Sequence, residues 1–224
     1  MNRKRKEPLV DKAYNLIKKN IVTLEFKPGM KLEEKDLMDE ISIGRTPIRE
    51  AIKMLVSEGL IVSYGKTSIY VKDLTLKSAK DLMSLLYHLG NVLSSMANSN
   101  EDYSSIIDQL DSLYKNMSEA IQNAEYSDFV VHNSNFHKVL AKLANNEYLD
   151  ALFDRLYNEE KRLSFILSLE KLHEISIKEY YQKVQKQHKE IIELVKAKDF
   201  EGLKRAYQDH MRVGQTKLFN YFTK

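Results

Sequence analysis

The first third of the chain combines three helical patterns with two short strand-like segments. In the helical stretches apolar residues recur every three to four positions, as in an amphipathic helix. The helical stretches are 9–25, 33–41 and 46–58, and the strand-like ones are 60–64 and 68–73. The strand-like segments flank Gly65-Lys66, which favours a β-hairpin. The pattern predicts the order helix, helix, turn, helix, hairpin.

The third of these helices has a recognisable beginning and end. Ser42-Ile43-Gly44 leaves room only for a tight turn before it. Thr46 is a typical N-cap residue, and Pro47 would then stand in the first turn, where a missing N–H breaks no hydrogen bond. Gly59 ends the helix. Two helices joined by so short a turn predict a helix-turn-helix, and the hairpin after it predicts a wing.

Beyond about residue 74 the pattern is helical throughout. Breaks occur near 98–102, 123–126, 145–146, 172–175 and 198–199. They divide the remainder into about six helices, which predicts a bundle. We therefore expect a mainly α protein, with a winged helix-turn-helix over residues 1–74 and an all-α antiparallel helical bundle over residues 75–224.

Composition narrows the class of protein. The 224 residues include no cysteine, which excludes disulfides, thiol nucleophiles and cysteine-based zinc fingers. We find no signal peptide and no apolar stretch of membrane-spanning length, and so expect a cytoplasmic protein without a membrane partner. Residues 1–75 carry 15 Lys and Arg against 11 Asp and Glu, while the remainder carries 20 against 21. The excess positive charge at the N-terminus favours an anionic partner there.

Segment 44–50 has the features of a DNA recognition helix. In a helix-turn-helix the second helix enters the major groove with its first residues towards the bases. Arg45 and Arg49 share one face, and arginine donates paired hydrogen bonds to guanine or charge-assisted ones to phosphate. Thr46 lies between them and is a candidate phosphate contact. Further candidate DNA contacts are Lys35, Lys66 and the basic residues 3–6.

The runs 26–32, 44–52 and 58–61 resemble the DNA-binding domain of GntR-family regulators. The family's recognition helix carries a run of the Ser-Arg-Thr-Pro-Val-Arg-Glu-Ala type, and this chain reads Gly-Arg-Thr-Pro-Ile-Arg-Glu-Ala from Gly44. The glycine in place of the common serine implies one lost phosphate contact. The resemblance implies that the residues that hold the operator are Arg45, Thr46 and Arg49, assisted by Lys35, Gly65 and Lys66.

Three histidines fall on the apolar faces of three predicted helices. Asn133 and His137 are four residues apart on one helix, and His188 and His210 lie in the apolar stripes of the next-to-last and last helices. A single buried histidine is usually a hydrogen-bonded core residue. Three on converging helices would offer three imidazoles and one amide oxygen, a set that suits Zn²⁺, Ni²⁺, Co²⁺ or Mn²⁺ with open positions.

The second half resembles the FCD domain, the helical effector domain of the FadR subfamily of GntR regulators. Metal-binding members carry Asp-x-x-x-His, then a His, then another His 22 residues later. Here His137 follows Asn133 by four residues, and His210 follows His188 by 22. The resemblance implies a metal site with asparagine in place of the usual aspartate, which weakens binding and alters metal preference.

The resemblance also implies an effector pocket. In the family the effector is often a small carboxylate that bridges the metal and an arginine on the first bundle helix. Here Leu89 stands near the position of that arginine, and Leu93 near that of a usual glutamate. Candidate substitutes in the pocket are Arg155, Arg162, Tyr157 and Tyr207.

These observations favour a transcription regulator, most simply a repressor, that binds a double-stranded DNA operator as a homodimer and responds to a small-molecule effector. Two alternatives stay open. In one, the bundle only dimerises and the histidines are core residues without metal. In the other, the protein is a metalloenzyme, against which stands the lack of a carboxylate placed beside the histidines as a base.

Overall fold

The structure is a computed structural model and describes residues 8–65, 68–169 and 174–223. The chain divides into two compact units, Met1–Leu74 and Thr75–Lys224, called here the N-terminal and C-terminal units. The expected mainly helical fold with a small wing sheet is confirmed. Among the described helices, none is long and apolar enough to cross a lipid bilayer.

The N-terminal unit combines three helices with a small antiparallel sheet. Its elements are α1 (Leu9–Val22), β1 (Lys31–Leu32), α2 (Glu34–Ile41), α3 (Arg45–Ser57), β2 (Ile61–Tyr64) and β3 (Ser68–Val71). The sheet order is β1-β3-β2, so the predicted hairpin gains a third strand. In the added pair Lys31 faces Tyr70 and Leu32 faces Ile69.

Two predicted helix boundaries in this unit are wrong by a few residues. α1 ends at Val22 instead of continuing to residue 25, because Leu24 takes a left-handed backbone conformation with φ of 64°. α3 begins at Arg45, so its N-cap is Gly44 and not Thr46. Thr46 and Pro47 lie within the first turn, where the backbone N–H groups have no partner inside the helix and proline is therefore tolerated.

The core of the N-terminal unit forms where α1 packs against α3. Ala13 and Ile17 of α1 and Ile48 and Leu55 of α3 are fully buried. These residues follow the helical period that the sequence shows, so the opposite face of α3 is left exposed. That exposed face carries the arginines.

The C-terminal unit consists of helices in its described part. They are α4 (Leu76–Met96), α5 (Ser104–Gln122), α6 (Tyr126–Ala141), α7 (Glu147–Leu169), α8 (Glu174–Lys196) and α9 (Phe200–Phe222), with a short 3₁₀ turn at Lys142–Ala144. α4 packs on α9, α5 on α6 and α8, α6 on α7, and α8 on α9. This packing brings the inner faces of α6, α8 and α9 together.

Candidate functional sites

The first turns of α3 present two arginines to solvent. The side chains of Arg45 and Arg49 are 65% and 52% exposed. Glu34 on α2 accepts a hydrogen bond from Arg45 Nε at 3.1 Å and another from Arg49 Nε at 2.8 Å. Since both bonds use Nε, the terminal guanidinium nitrogens remain available to an acceptor. Thr46 is exposed between the two arginines.

Glu34 belongs to this candidate site, but the sequence pattern did not reveal it, because its partners lie 11 and 15 residues further along the chain. The hydrogen bond from Arg49, followed by that from Arg45, holds the pKa of the Glu34 carboxyl below its ordinary value. The carboxylate therefore stays charged at neutral pH and fixes the directions of the two guanidinium groups.

The structure describes two of the remaining predicted DNA contacts, Lys35 and Gly65. Lys35 is exposed on α2, next to Glu34. Gly65 follows β2 in a turn and has a φ of 70°, a left-handed conformation that glycine adopts without strain. Lys66 and the basic residues 3–6 lie outside the described residues.

The predicted histidines meet in the core of the C-terminal unit. His137 on α6, His188 on α8 and His210 on α9 are buried, and one nitrogen from each lies within 4.8 Å of the others. We call these three residues the histidine triad. Nε2 of His137 and Nε2 of His210 are 3.0 Å apart. Asn133, one turn before His137, is buried, and its Oδ1 has no hydrogen-bond partner.

The hydrogen bonds around His188 fix which ring nitrogen carries the proton. Gln185 donates from Nε2 to the backbone carbonyl of Tyr114 at 2.6 Å and to the hydroxyl of Ser118 at 2.8 Å. Its Oε1 therefore faces His188 Nδ1, at 3.2 Å, and can only accept. His188 must donate from Nδ1, so Nε2 carries a bare lone pair. That Nε2 is buried and has no hydrogen-bond partner.

His210 repeats this arrangement. Its Nδ1 lies 3.3 Å from Oε1 of Gln187. Donation to that oxygen leaves a lone pair on His210 Nε2, directed at His137 Nε2. A hydrogen bond to Nδ1 sets the tautomer and the ring orientation of a histidine. Metal-binding histidines commonly have such a partner, and here glutamine oxygens take that place. Sequence analysis did not identify Gln185 or Gln187.

The triad fits a divalent transition metal by three independent features. Burial lowers the pKa of all three histidines, that of His210 to about 4, so the rings are neutral at pH 7 and no charged imidazolium opposes a bound cation. His188 Nε2 and Asn133 Oδ1 are buried and receive no hydrogen bond. A bound cation would satisfy both atoms. Ligand nitrogens at about 2.0–2.1 Å from one ion lie roughly 3 Å apart, as the His137 and His210 nitrogens do.

A small cavity of about 40 Å³ adjoins the triad. Its wall includes Asn133, His137, His210 and Glu160, and it has room for a water molecule or a ligand of a few heavy atoms. Glu160 lines the same cavity as His137 and His210. The sequence argument against an enzyme assumed that no carboxylate lay there. Its position on α7 could not be related to α6 or α9 from spacing alone.

The predicted pocket residues are placed differently from one another. Tyr207 is buried, and its hydroxyl is 2.8 Å from that of Tyr157, whose ring stacks on His137 with centroids 4.9 Å apart. Arg155 is exposed, because it lies two positions before Tyr157 and therefore on nearly the opposite side of the helix. Arg162 is fully buried and donates to Glu159 at 3.0 Å. Neither arginine lines the cavity.

Comparison with known proteins assigns both units. The family model for bacterial regulatory proteins of the gntR family matches residues 9–71, and that for the FCD domain matches residues 94–213. The HTH-type transcriptional regulator YdhC of Bacillus subtilis is 26% identical over 201 residues, which cover 88% of this chain and 85% of the relative. The HTH-type transcriptional repressor RspR of Escherichia coli is 21% identical over 210 residues, 92% and 87% of the two chains.

A solved structure has the same fold. Escherichia coli McbR/YncC aligns with a TM-score of 0.81 at 19% identity and covers 96% of this chain and 99% of its own. At such low identity the likeness concerns the fold alone. Together, the two family models account for most of the chain, which belongs to the GntR family of bacterial regulatory proteins and is a transcription regulator with an FCD effector domain.

Proposed function

We propose that this regulator is a homodimeric repressor that binds its operator through α3. A small ligand in the C-terminal unit controls the affinity for that operator. The observation that carries the proposal is the pair of exposed arginines at the start of α3, aligned by Glu34. A protein surface that pre-orders two guanidinium groups meets a fixed pair of acceptors at little entropic cost. Guanine edges and phosphates in the major groove are such acceptors.

Each DNA contact then has a distinct role. Arg45 and Arg49 read base edges or phosphates in the major groove, and Thr46 contacts the phosphate beside them. Lys35 on α2 adds a contact to the DNA phosphates. Gly65 and Lys66 of the wing are the candidates for a contact to the neighbouring phosphates. In a homodimer two copies of α3 related by a two-fold axis would match a palindromic operator with half-sites about one helical turn apart.

In the C-terminal unit, Asn133 and the histidine triad would hold Zn²⁺, Ni²⁺, Co²⁺ or Mn²⁺. The support is the set of buried lone pairs without donors and the glutamines that hold the outer nitrogens of two imidazoles. When bound, the metal would supply an open position for an oxygen or nitrogen atom of the effector. The chain's own residues set the tautomers, exclude bulk water and shape the adjoining cavity.

The DNA-binding proposal is tested with an operator selected from a random duplex library by the full-length protein. Arg49→Ala should weaken binding to that operator at least 30-fold, since a bidentate arginine contact contributes about 1–3 kcal/mol and the proposed homodimer loses two of them. Lys53→Ala is the matched control: Lys53 lies on the same helix, is 71% exposed and pairs with Glu50. Fluorescence anisotropy gives both dissociation constants, and equal losses in the two variants would contradict the assignment.

The metal proposal is tested by elemental analysis of untagged protein. We expect about one metal ion per chain in the wild type and less than a tenth of that in His188→Ala. His132→Ala is the control, since His132 lies on α6 but is not part of the triad. A wild type that stays empty after incubation with Zn²⁺ or Ni²⁺ would favour the alternative in which the bundle serves for dimerisation alone. An enzyme would be indicated only by turnover that depends on the metal and on Glu160.

A further inference from the structure

The helix α4 is apolar on both of its faces, yet one of them is exposed. Its inner face, which includes Met83 and Leu86, is buried, and α4 packs on α9. Its outer face carries Leu85, Val92 and Met96, spaced seven and four residues apart, as in a stripe that one helix presents to another. Leu85 and Met96 are 42% and 40% exposed. Since a helix that is hydrophobic all round is normally buried all round, the outer face of α4 is suited to a further cover.

The outer face of α4 also lacks the charges that a solvated helix usually carries. Residues 82–100 contain no Lys, Arg, Asp or Glu, although these types make up 30% of the chain. Besides Leu85 and Met96, the exposed positions of this part of α4 are Ser84, His88 and Ser95. The helix α5 has a similar length and exposes four charged side chains, Asp108, Asp111, Lys115 and Glu119. Because charged residues are depleted at the centre of protein interfaces, the pattern on α4 indicates a surface that meets another protein.

The helix α7, which packs beside α4, is the other place in the C-terminal unit with exposed apolar side chains. In the described part of that unit, the exposed large hydrophobic residues are Leu85, Met96, Tyr148 and Leu152. Tyr148 and Leu152 are four residues apart on α7 and therefore share a face. The outer face of α4 alone measures about 22 Å by 10 Å, whereas a stable dimer buries about 800 Å² per partner. An interface centred on α4 therefore needs α7 as well.

We propose that the partner of this surface is a second copy of the chain, with the two α4 helices packed against each other across a two-fold axis and α7 at the side. The inference rests on the homodimer of the proposed function and names its interface. Near a two-fold axis a side chain meets its own counterpart, so a charge there would face a like charge. An uncharged face avoids that repulsion. A different protein could instead offset charges on α4 with opposite ones, so the charge pattern favours a second copy.

Because the chain has no cysteine, a single introduced cysteine reports which residues lie at the two-fold axis. A disulfide between two copies forms only where their Cα atoms come within about 7 Å. The α4 variants of the full-length protein are Leu85→Cys, His88→Cys, Ser95→Cys and Met96→Cys, and the α5 controls are Asp108→Cys and Lys115→Cys. After mild oxidation, non-reducing electrophoresis should show a covalent dimer for at least one α4 variant and for neither control. Cross-linking of a control alone, or of no variant, would overturn the proposal.

Sedimentation equilibrium separates a wrong interface from a wrong homodimer. The double variant Leu85→Glu, Met96→Glu brings carboxylates of both copies into the interface and should weaken dimerisation at least about 100-fold. Leu9→Glu is the control, since Leu9 is 56% exposed on α1, and it should dimerise like the wild type. A monomeric wild type would contradict the homodimer itself, whereas a double variant as dimeric as the wild type would contradict the interface alone. Both glutamates replace exposed residues, so circular dichroism should show a folded monomer; if that variant does not fold, the cysteine variants decide.

Discussion

Two glycines on facing helices provide a sharp test of how α4 packs on α9. A Cβ atom added at Gly90 on α4 would lie 2.6 Å from Cδ1 and 3.3 Å from Cγ of Tyr207 on α9. Real carbon atoms do not approach so closely, so the ring or the helix must move. Tyr207 has little freedom to do so, because it is buried and its hydroxyl is bonded to that of Tyr157.

The balance for Gly90→Ala can be estimated from these contacts. Alanine in place of glycine within a helix stabilises by about 1 kcal/mol. Overpacking of a tight core costs about 1–3 kcal/mol, and loss of the bond between the two tyrosines about 1 kcal/mol more. The net result is a destabilisation of about 2 kcal/mol, which lowers Tm by roughly 4–8 °C for a protein of this size.

Gly214→Ala on α9 is the matched control for Gly90→Ala. There the added Cβ would meet only Cε of Met83, at 3.4 Å, and the end of a flexible side chain moves at little cost. We expect this variant to be as stable as the wild type or more stable, by up to about 1 kcal/mol. Calorimetry of both variants in the same buffer checks the pair. Shifts of Tm in the same direction, or a Gly90→Ala protein as stable as wild type, would refute the packing argument.

Three further predictions concern the two candidate sites. Glu34→Gln should lower the ratio of operator to scrambled-duplex affinity several-fold by freeing the two arginines, whereas Glu50→Gln should not; anisotropy with both duplexes measures this. Gln185→Leu should weaken Zn²⁺ binding about 10–100-fold in competition with a chromophoric chelator, while the exposed Gln182→Leu should not. Since folded pKa values of the triad lie below about 6.5, the unfolded state of metal-free protein binds more protons below that pH. The free energy of unfolding should be constant above pH 6.5 and fall towards pH 4, by at most about 1.4 kcal/mol per pH unit for each histidine. Denaturant titration at several pH values measures this, and a flat profile would contradict the prediction.

The regular parts of the fold could be predicted from residue periodicity. The last helix was expected to follow the break near residues 198–199, and α9 begins at Phe200, because Asp199 caps it by accepting from the backbone N–H of Gly202. The convergence of the histidines was expected from their places in apolar stripes, since the inner faces of packed helices must meet. That they hold a metal stays a prediction.

Other features depend on long-range pairing and left no local pattern. β1 has only two residues, too few to show alternation, and forms because β3 offers it an edge. In the sequence Glu34 is an ordinary surface acid, and only the packing of α3 on α2 gives it two arginine partners. Glu160 occupies a helical position from which no spacing rule reaches α6 or α9. Gln185 could have been found, because it precedes His188 by three residues and side chains at that spacing meet on a helix.

The strand β1 has a consequence for how a signal reaches DNA. β1 precedes α2 and α3, while its partner β3 follows them, and the backbone bonds from Gly29 to Val71 and from Val71 to Met30 close the segment upon itself. The helix α3 is thus enclosed in a segment whose two ends are joined by backbone hydrogen bonds. Such a closed segment resists internal deformation, because any tilt of α3 must break strand pairing or the core contacts of α1. In the proposed homodimer we therefore expect the ligand to change operator affinity by moving the two N-terminal units relative to each other. The position of α3 within each unit should not change.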